Sequence, residues 1–501
     1  MPRRFARFAA CFVLIAVPVV VRAVDDKAPL ADEWQAVFLG TDKVGYVHSV
    51  ANKIRENGKD MIEVRAESVM SIRRDKQTTE LKTEFSSVET PDGKLIRLDN
   101  RTKQSAEEVR TIGEVIGKAL KLTMQTPGKQ NSGVIPWDDD ILAPFAEDQL
   151  LKKRPLKPGE KLKYRSFSPD FNQVLTNTLT GEAMEEVTLL DGSKRKLQRI
   201  LAQIDGVPML KNMKVYQWID ENAETLKEHT DFVFSTTLYR TTKEVAMAKP
   251  TTVSGDFLQM TLITPQKKIP NPYNASEIVY RIEVTDDDPA SVIPQDDRQS
   301  LSKGPDGETL LTIRAIDPTK PAANSKKPAP EYLQSNNYLQ TDNAKVIQAA
   351  KDAVGDATDP WEKAQRIEKW VHTNVKDKNF SLGLASAAEV AKNLEGDCTE
   401  HGVLLAAMAR AVGVPARVAV GLVYAERLGA FGYHMWSEVY INGHWVPVDG
   451  TLGRGHASPA HIKIFDSSMA GVDALATFLP VAGVMNRLKI EVVSWKHAEG
   501  N

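Results

Sequence analysis

Between Glu33 and Lys249, apolar and polar residues alternate over short stretches, as in Val44-Gly45-Tyr46-Val47-His48-Ser49-Val50 and Met61-Ile62-Glu63-Val64-Arg65-Ala66. A period of two sends successive side chains to opposite faces of an extended strand, so the pattern predicts half-buried β-structure. Asn57-Gly58, Asp92-Gly93, Asp191-Gly192 and Asp205-Gly206 punctuate it with pairs that tolerate the positive backbone angles of tight turns. The expectation for 24–250 is a β-rich domain with a large antiparallel sheet, flat or curled, interrupted by a helical patch at about Ile141 to Leu151.

A smaller β-rich unit is expected over 251–316, where Ile278 to Val284 and Thr309 to Arg314 read as strands. Residues 317–330 carry Pro318, Pro321, Pro328 and Pro330 with no apolar period, the composition of a semi-extended linker. After Glu331 the period lengthens. Asp359 before Pro360 is an N-cap with proline at the first helical position, and Trp361, Ala364, Ile367, Trp370 and Val371 then share one face. Core packing accounts for both tryptophans. The fold class expected is α+β, with a mixed domain over 331–501 behind antiparallel β-rich domains.

The extreme N-terminus has a different texture. Arg3, Arg4 and Arg7 precede an apolar run from Phe8 to Val21, and Val21-Arg22-Ala23 suits a signal peptidase. The run is shorter than the roughly 20 residues a membrane helix needs. Residues 1–23 therefore read as a cleaved signal peptide, which predicts a periplasmic or secreted protein with no transmembrane span after cleavage. That reading changes the cysteine arithmetic: of Cys11 and Cys398 only the second survives, and a single cysteine makes no internal disulfide. The formal net charge of −2 offers no basic field for nucleic acid.

The run Gly396-Asp397-Cys398-Thr399-Glu400 gives that cysteine a setting. Asp397 with Glu400 three residues on is a capping-box pattern, which places Cys398 in the first turn of a helix. The positive end of the helix favours a thiolate there, and nearby N–H groups could serve an oxyanion. Gly413 and Pro415 stop the helix.

Downstream, Asn442-Gly443 predicts a two-residue hairpin turn between His434–Ile441 and His444–Asp449. Pairing Ile441 with His444 sets Trp436 opposite Asp449 and makes His434 a diagonal neighbour of that carboxylate, about 7–8 Å between backbones across the hairpin. Met435, Val439, Ile441, Val446 and Val448 line the other, core-like face. One face packs; the other presents a His–Asp pair. Thiol, imidazole and carboxylate are the parts of acyl-transfer chemistry: attack, proton shuttling and fixation of the tautomer.

These motifs, together with Arg410-Ala411-Val412-Gly413-Val414-Pro415-Ala416-Arg417, His434-Met435-Trp436-Ser437-Glu438-Val439 and Gly443-His444-Trp445-Val446-Pro447-Val448-Asp449, resemble the transglutaminase-like core, a relative of the papain fold. The resemblance runs from about Tyr332 to Asp449. It implies a catalytic triad of Cys398, His434 and Asp449, needs no metal or cofactor, and points to a protein or peptide amide as substrate. Hydrolysis is favoured over cross-linking, because no site for an acceptor amine is recognisable. No oxyanion side chain can be assigned, since Leu384 to Asp397 holds no Trp, Gln or His. A non-catalytic envelope scaffold on the same fold is the alternative.

The other histidines read as bland. His401 belongs to the core or rim, His444 is exposed after the turn, and His456 and His461 are loop residues without ligand spacing. Asp138-Asp139-Asp140 and Asp286-Asp287-Asp288 lack the spaced ligands of a calcium loop and read as solvated turns.

Overall fold

A computed structural model describes residues 23–24 and 28–497, apart from 75–76, 104–107, 170, 208–209, 211–212, 231–234, 250–261, 324–325, 377–383, 471–473 and 486. The segment read as a signal peptide lies, but for Ala23, outside the described residues. Strand outweighs helix, 49% to 18%. The chain is thus mostly β, and α+β describes its C-terminal part better than the whole.

Sixteen strands among the described residues form the N-terminal sheet. Neighbours in sequence pair antiparallel from Ala31–Leu39 through to Lys129–Pro136. On the other side of Ala31–Leu39, Thr236–Thr241 pairs with it, Thr236 opposite Leu39, and the order runs back to Lys161–Ser168. The two ends of this path meet in one apolar cluster, where Leu95, Leu98 and Leu120 pack with Trp137, Ile141, Phe167 and Val174. The sheet is curled, because a sheet with one apolar face must close on something. The helical patch is two short helices, Pro144–Asp148 and Leu150–Lys153. Glu89 holds the first of them by accepting Phe145 N–H at 2.8 Å and Ala146 N–H at 3.3 Å.

The C-terminal part has two four-stranded sheets. The central one runs His444–Val448, Ala430–Ile441, Ala416–Ala425, His461–Ser467, with antiparallel pairs throughout. The smaller one runs Gln299–Lys303, Thr309–Arg314, Ala275–Val284, Leu488–His497. The sequence sets 251–316 apart as its own unit, yet its strand Ala275–Val284 pairs with the last strand, Tyr280 opposite Val492. A single apolar core takes in Ile278, Tyr280 and Ile282 with Val403, Leu404, Val420 and Ile490. The physical reason is size: so few strands cannot bury an apolar face alone.

The proline-rich segment is docked along the hairpin. Ala322 N–H donates to Asn442 O at 2.8 Å, Asn442 Nδ2 to Pro318 O at 2.9 Å, and Tyr440 Oη to Lys326 O at 2.9 Å. Helices Ala344–Val354 and Pro360–Asn374 cover the core from outside the central sheet. Asp359 caps the second by accepting Glu362 N–H at 2.9 Å, and Ala364, Ile367 and Val371 are fully buried. No helix among the described residues is long and apolar enough to cross a membrane.

Candidate active site

Helix Cys398–Ala411 begins where the capping pattern places it. Asp397 Oδ1 accepts Thr399 N–H at 2.9 Å, and Glu400 Oε2 accepts Asp397 N–H at 2.9 Å, closing the box. Glu400 Oε1 also takes Ala385 N–H at 3.2 Å, which ties the helix start to the preceding segment. Burial, then the charge of Asp397, raises the Glu400 carboxyl above its ordinary range. Gly396 sits at φ +147°, and a Cβ there would run into the Glu400 side chain at 2.2 Å. Only glycine fits the approach.

The helix lies against strand Ala430–Ile441. A Cβ on Gly402 would meet Met435 Cγ at 3.1 Å, and Ser437 Oγ donates to Gly402 O at 2.7 Å. One turn back along the helix from Gly402 is Cys398; one residue back along the strand from Met435 is His434. This packing sets the sulfur beside the imidazole, near enough to favour a charge on the ring.

The hairpin has the expected register: Asn442 and Gly443 adopt φ of 49° and 93°, Ile441 pairs with His444, and Ser437 pairs with Val448. Asp449 follows directly, and its Oδ2 lies 2.8 Å from His434 Nε2. His434 therefore has Asp449 on Nε2, which leaves Nδ1 for the thiol. The three side chains are brought together, and all are buried.

Burial opposes charge on His434, but the facing Asp449 carboxylate and the Cys398 sulfur override it and push the imidazole up to about 10. Burial likewise opposes charge on Asp449, and the charge and hydrogen bonds of His434 and His461 hold it well below the usual carboxylate range. The arrangement stabilises an imidazolium between two anion-forming groups. That is the resting charge state a thiolate nucleophile needs.

The sequence reading of His461 as a loop residue fails. It opens strand His461–Ser467, is buried, and its Nε2 lies 3.0 Å from Asp449 Oδ2. Its strand lies beyond Ala416–Ala425 from the hairpin, so no local pattern announces the contact. Trp436 stacks on His434 with centroids 6.2 Å apart and meets His461 edge-on at 5.3 Å. The His434, Asp449 and His461 donor atoms lie within 4.8 Å of one another, a spacing open to a metal ion, but hydrogen bonds among them already account for it.

His401 is a core histidine whose Nδ1 lies 2.6 Å from Asp397 O. His444 is half-buried against Asp297, where the sequence suggests exposure, because the turn folds toward the small sheet. The hairpin face expected to present the His–Asp pair is covered too. Tyr280 Oη donates to Pro459 O and Arg298 Nη2 to Ser458 O, so the small sheet and the segment after Asp449 close over it. Beneath them Glu438 is buried between Arg417 and Lys463, at 2.6 and 3.1 Å.

Comparison with known proteins agrees with this geometry in one region. Residues 347–450 match the sequence model of the transglutaminase-like superfamily. An uncharacterised protein of Haemophilus influenzae is 32% identical over 146 residues, which is 24% of this chain and 39% of that protein. This chain thus spans well under half of that relative's length. Among solved structures, a candidate cysteine protease from Cytophaga hutchinsonii is 17% identical, covers 45% of this chain and 90% of its own, and has a TM-score of 0.28. A β-barrel-like protein of Brucella abortus is 12% identical, covers 42% of this chain and 94% of its own, with a TM-score of 0.32. Scores this low carry no argument. What stands is the match in sequence: residues 347–450 of this chain form a transglutaminase-like domain.

Proposed function

We propose that the protein is an extracytoplasmic thiol acyl-transfer enzyme acting on protein or peptide amides, with Cys398 as nucleophile, His434 as acid–base and Asp449 as its orienting carboxylate. The observation that carries the reading is a buried imidazole with a carboxylate at 2.8 Å on Nε2, on a strand packed against the helix that begins at Cys398. Cys398 Sγ, as thiolate, bonds to the substrate carbonyl carbon. The carbonyl oxygen takes the electron pair, with backbone N–H groups at the helix start to receive it. As the C–N bond breaks, His434 gives its proton to the leaving amine, and a thioester remains on Cys398. Water then attacks, His434 takes its proton, and the acid departs as the thiolate is restored. An amine in place of water would give a cross-link; hydrolysis is the favoured outcome.

The test is labelling by iodoacetamide at about pH 6, where a thiol of ordinary pKa, about 8.5, is nearly inert. One label per chain on Cys398, lost in Cys398→Ala and much slowed in His434→Ala, is expected. A folded protein that fails to label on Cys398 overturns the reading.

A further inference from the structure

The Asp449 carboxylate is more heavily hydrogen-bonded than a carboxylate serving one imidazole needs to be. Oδ1 accepts Thr451 N–H at 2.9 Å and Leu452 N–H at 3.2 Å, while Oδ2 faces His434 Nε2 at 2.8 Å and His461 Nε2 at 3.0 Å. The two backbone bonds already fix the carboxylate in place. The second imidazole must then do something besides holding it.

The tautomer of His461 follows from its surroundings. Its Nδ1 lies 3.2 Å from Ser458 O, but that carbonyl already accepts His461's own backbone N–H at 3.1 Å and Arg298 Nη2 at 2.6 Å. A carbonyl oxygen has two lone pairs, so no strong place is left for a third donor. The proton of a neutral His461 therefore belongs on Nε2, pointing at Asp449. The charged groups facing the ring agree. Arg298 and His434 disfavour a cation at His461, burial disfavours it more, and only Asp449 favours it. Glu368 and Tyr273 also feel Asp449, while His434 is faced by Asp449 and Cys398.

We infer that His461 is a positioning residue: as a neutral Nε2–H donor it shares Asp449 Oδ2 with His434 and so limits how strongly the carboxylate holds the His434 proton. The inference rests on the proposed thiol mechanism. An imidazolium bound too tightly by its carboxylate is a poor acid toward a leaving amine. A donor competing for the same oxygen drains part of that charge, since hydrogen bonds to an ion are about twice as strong as neutral ones. Trp436 packs beside both rings, with centroids 6.2 Å from His434 and 5.3 Å from His461.

The experiment compares wild type with His461→Phe and His461→Gln. The first removes the N–H and keeps a flat ring; the second restores an amide N–H near the same point. The imidazole resonances of His434 are followed by NMR against pH, alongside the pH profile of Cys398 alkylation. In His461→Phe, deprotonation of His434 should move up by about one pH unit, the worth of one lost charge-assisted bond. His461→Gln should return it toward wild type. If the Phe variant folds and titrates as wild type does, or if Phe and Gln shift His434 equally, the inference is overturned. If the Phe variant does not fold, the Gln variant decides by comparison with His461→Leu, and equal titration of those two overturns it as well. Failure of wild-type Cys398 to label at about pH 6 would instead reject the underlying mechanism.

Discussion

Replacing Asp449 by Asn tests the charge of the site while nearly preserving its shape. His434 is held at about 10 against an ordinary 6.5, a difference of roughly 5 kcal/mol in favour of the imidazolium. The chief favourable contribution comes from Asp449; burial acts the other way. With a neutral amide in its place, burial remains and its main opponent is gone. His434 should fall to 6.5 or below. The ceiling on the resulting loss of thiolate–imidazolium pair is roughly three-thousand-fold. Below that ceiling, the expected fall in alkylation rate at about pH 6 is about 100- to 1,000-fold. The assay is the pseudo-first-order rate of Cys398 modification by iodoacetamide from about pH 5 to 9. Wild type should give a nearly flat profile, and the variant one that rises with ordinary thiol ionisation. An Asp449→Asn protein with wild-type melting temperature and an unchanged rate at about pH 6 would refute the electrostatic account.

Other outcomes follow from the packing. Asp397→Ala removes the acceptor of Thr399 N–H and should cost about 1–2 kcal/mol in denaturant unfolding, with slower alkylation as the helix start frays. Glu438→Gln uncouples a carboxylate buried between Arg417 and Lys463; leaving both cations underpaired should cost about 3–5 kcal/mol in thermal or chemical denaturation. Lys129→Ala breaks the ion pair to Asp342 across the two halves of the chain, and because Asp342 is exposed the loss should stay under about 1 kcal/mol. Cys398→Ser keeps the geometry but not the acidity, and turnover of any amide substrate found should fall by at least about 1,000-fold.

The parts of the site near one another in sequence were legible from the residues. The Asp397–Glu400 box fixes the helix start, and Asn442-Gly443 fixes a register in which His434 and Asp449 are diagonal neighbours. Both are rules of a single turn. The contact between Cys398 and His434 depends on how a helix packs on a strand, which the residues alone pointed to only through the family resemblance. His461 was missed because its strand enters the sheet on the far side of Ala416–Ala425. The sequence likewise gave no sign that Leu488–His497 completes the sheet of Ala275–Val284. A curled antiparallel sheet was among the expectations for the N-terminal half, since its strands pair with their neighbours in the chain.

The pairing of Tyr280 with Val492 bears on the order in which the protein assembles. Closing a loop of that length is entropically slow, and the reward comes only once the final strand has been synthesised and is free to dock. Until then the sheet that seals the segment after Asp449 lacks an edge. The segment after Asp449 would thus gain its full surroundings late in assembly.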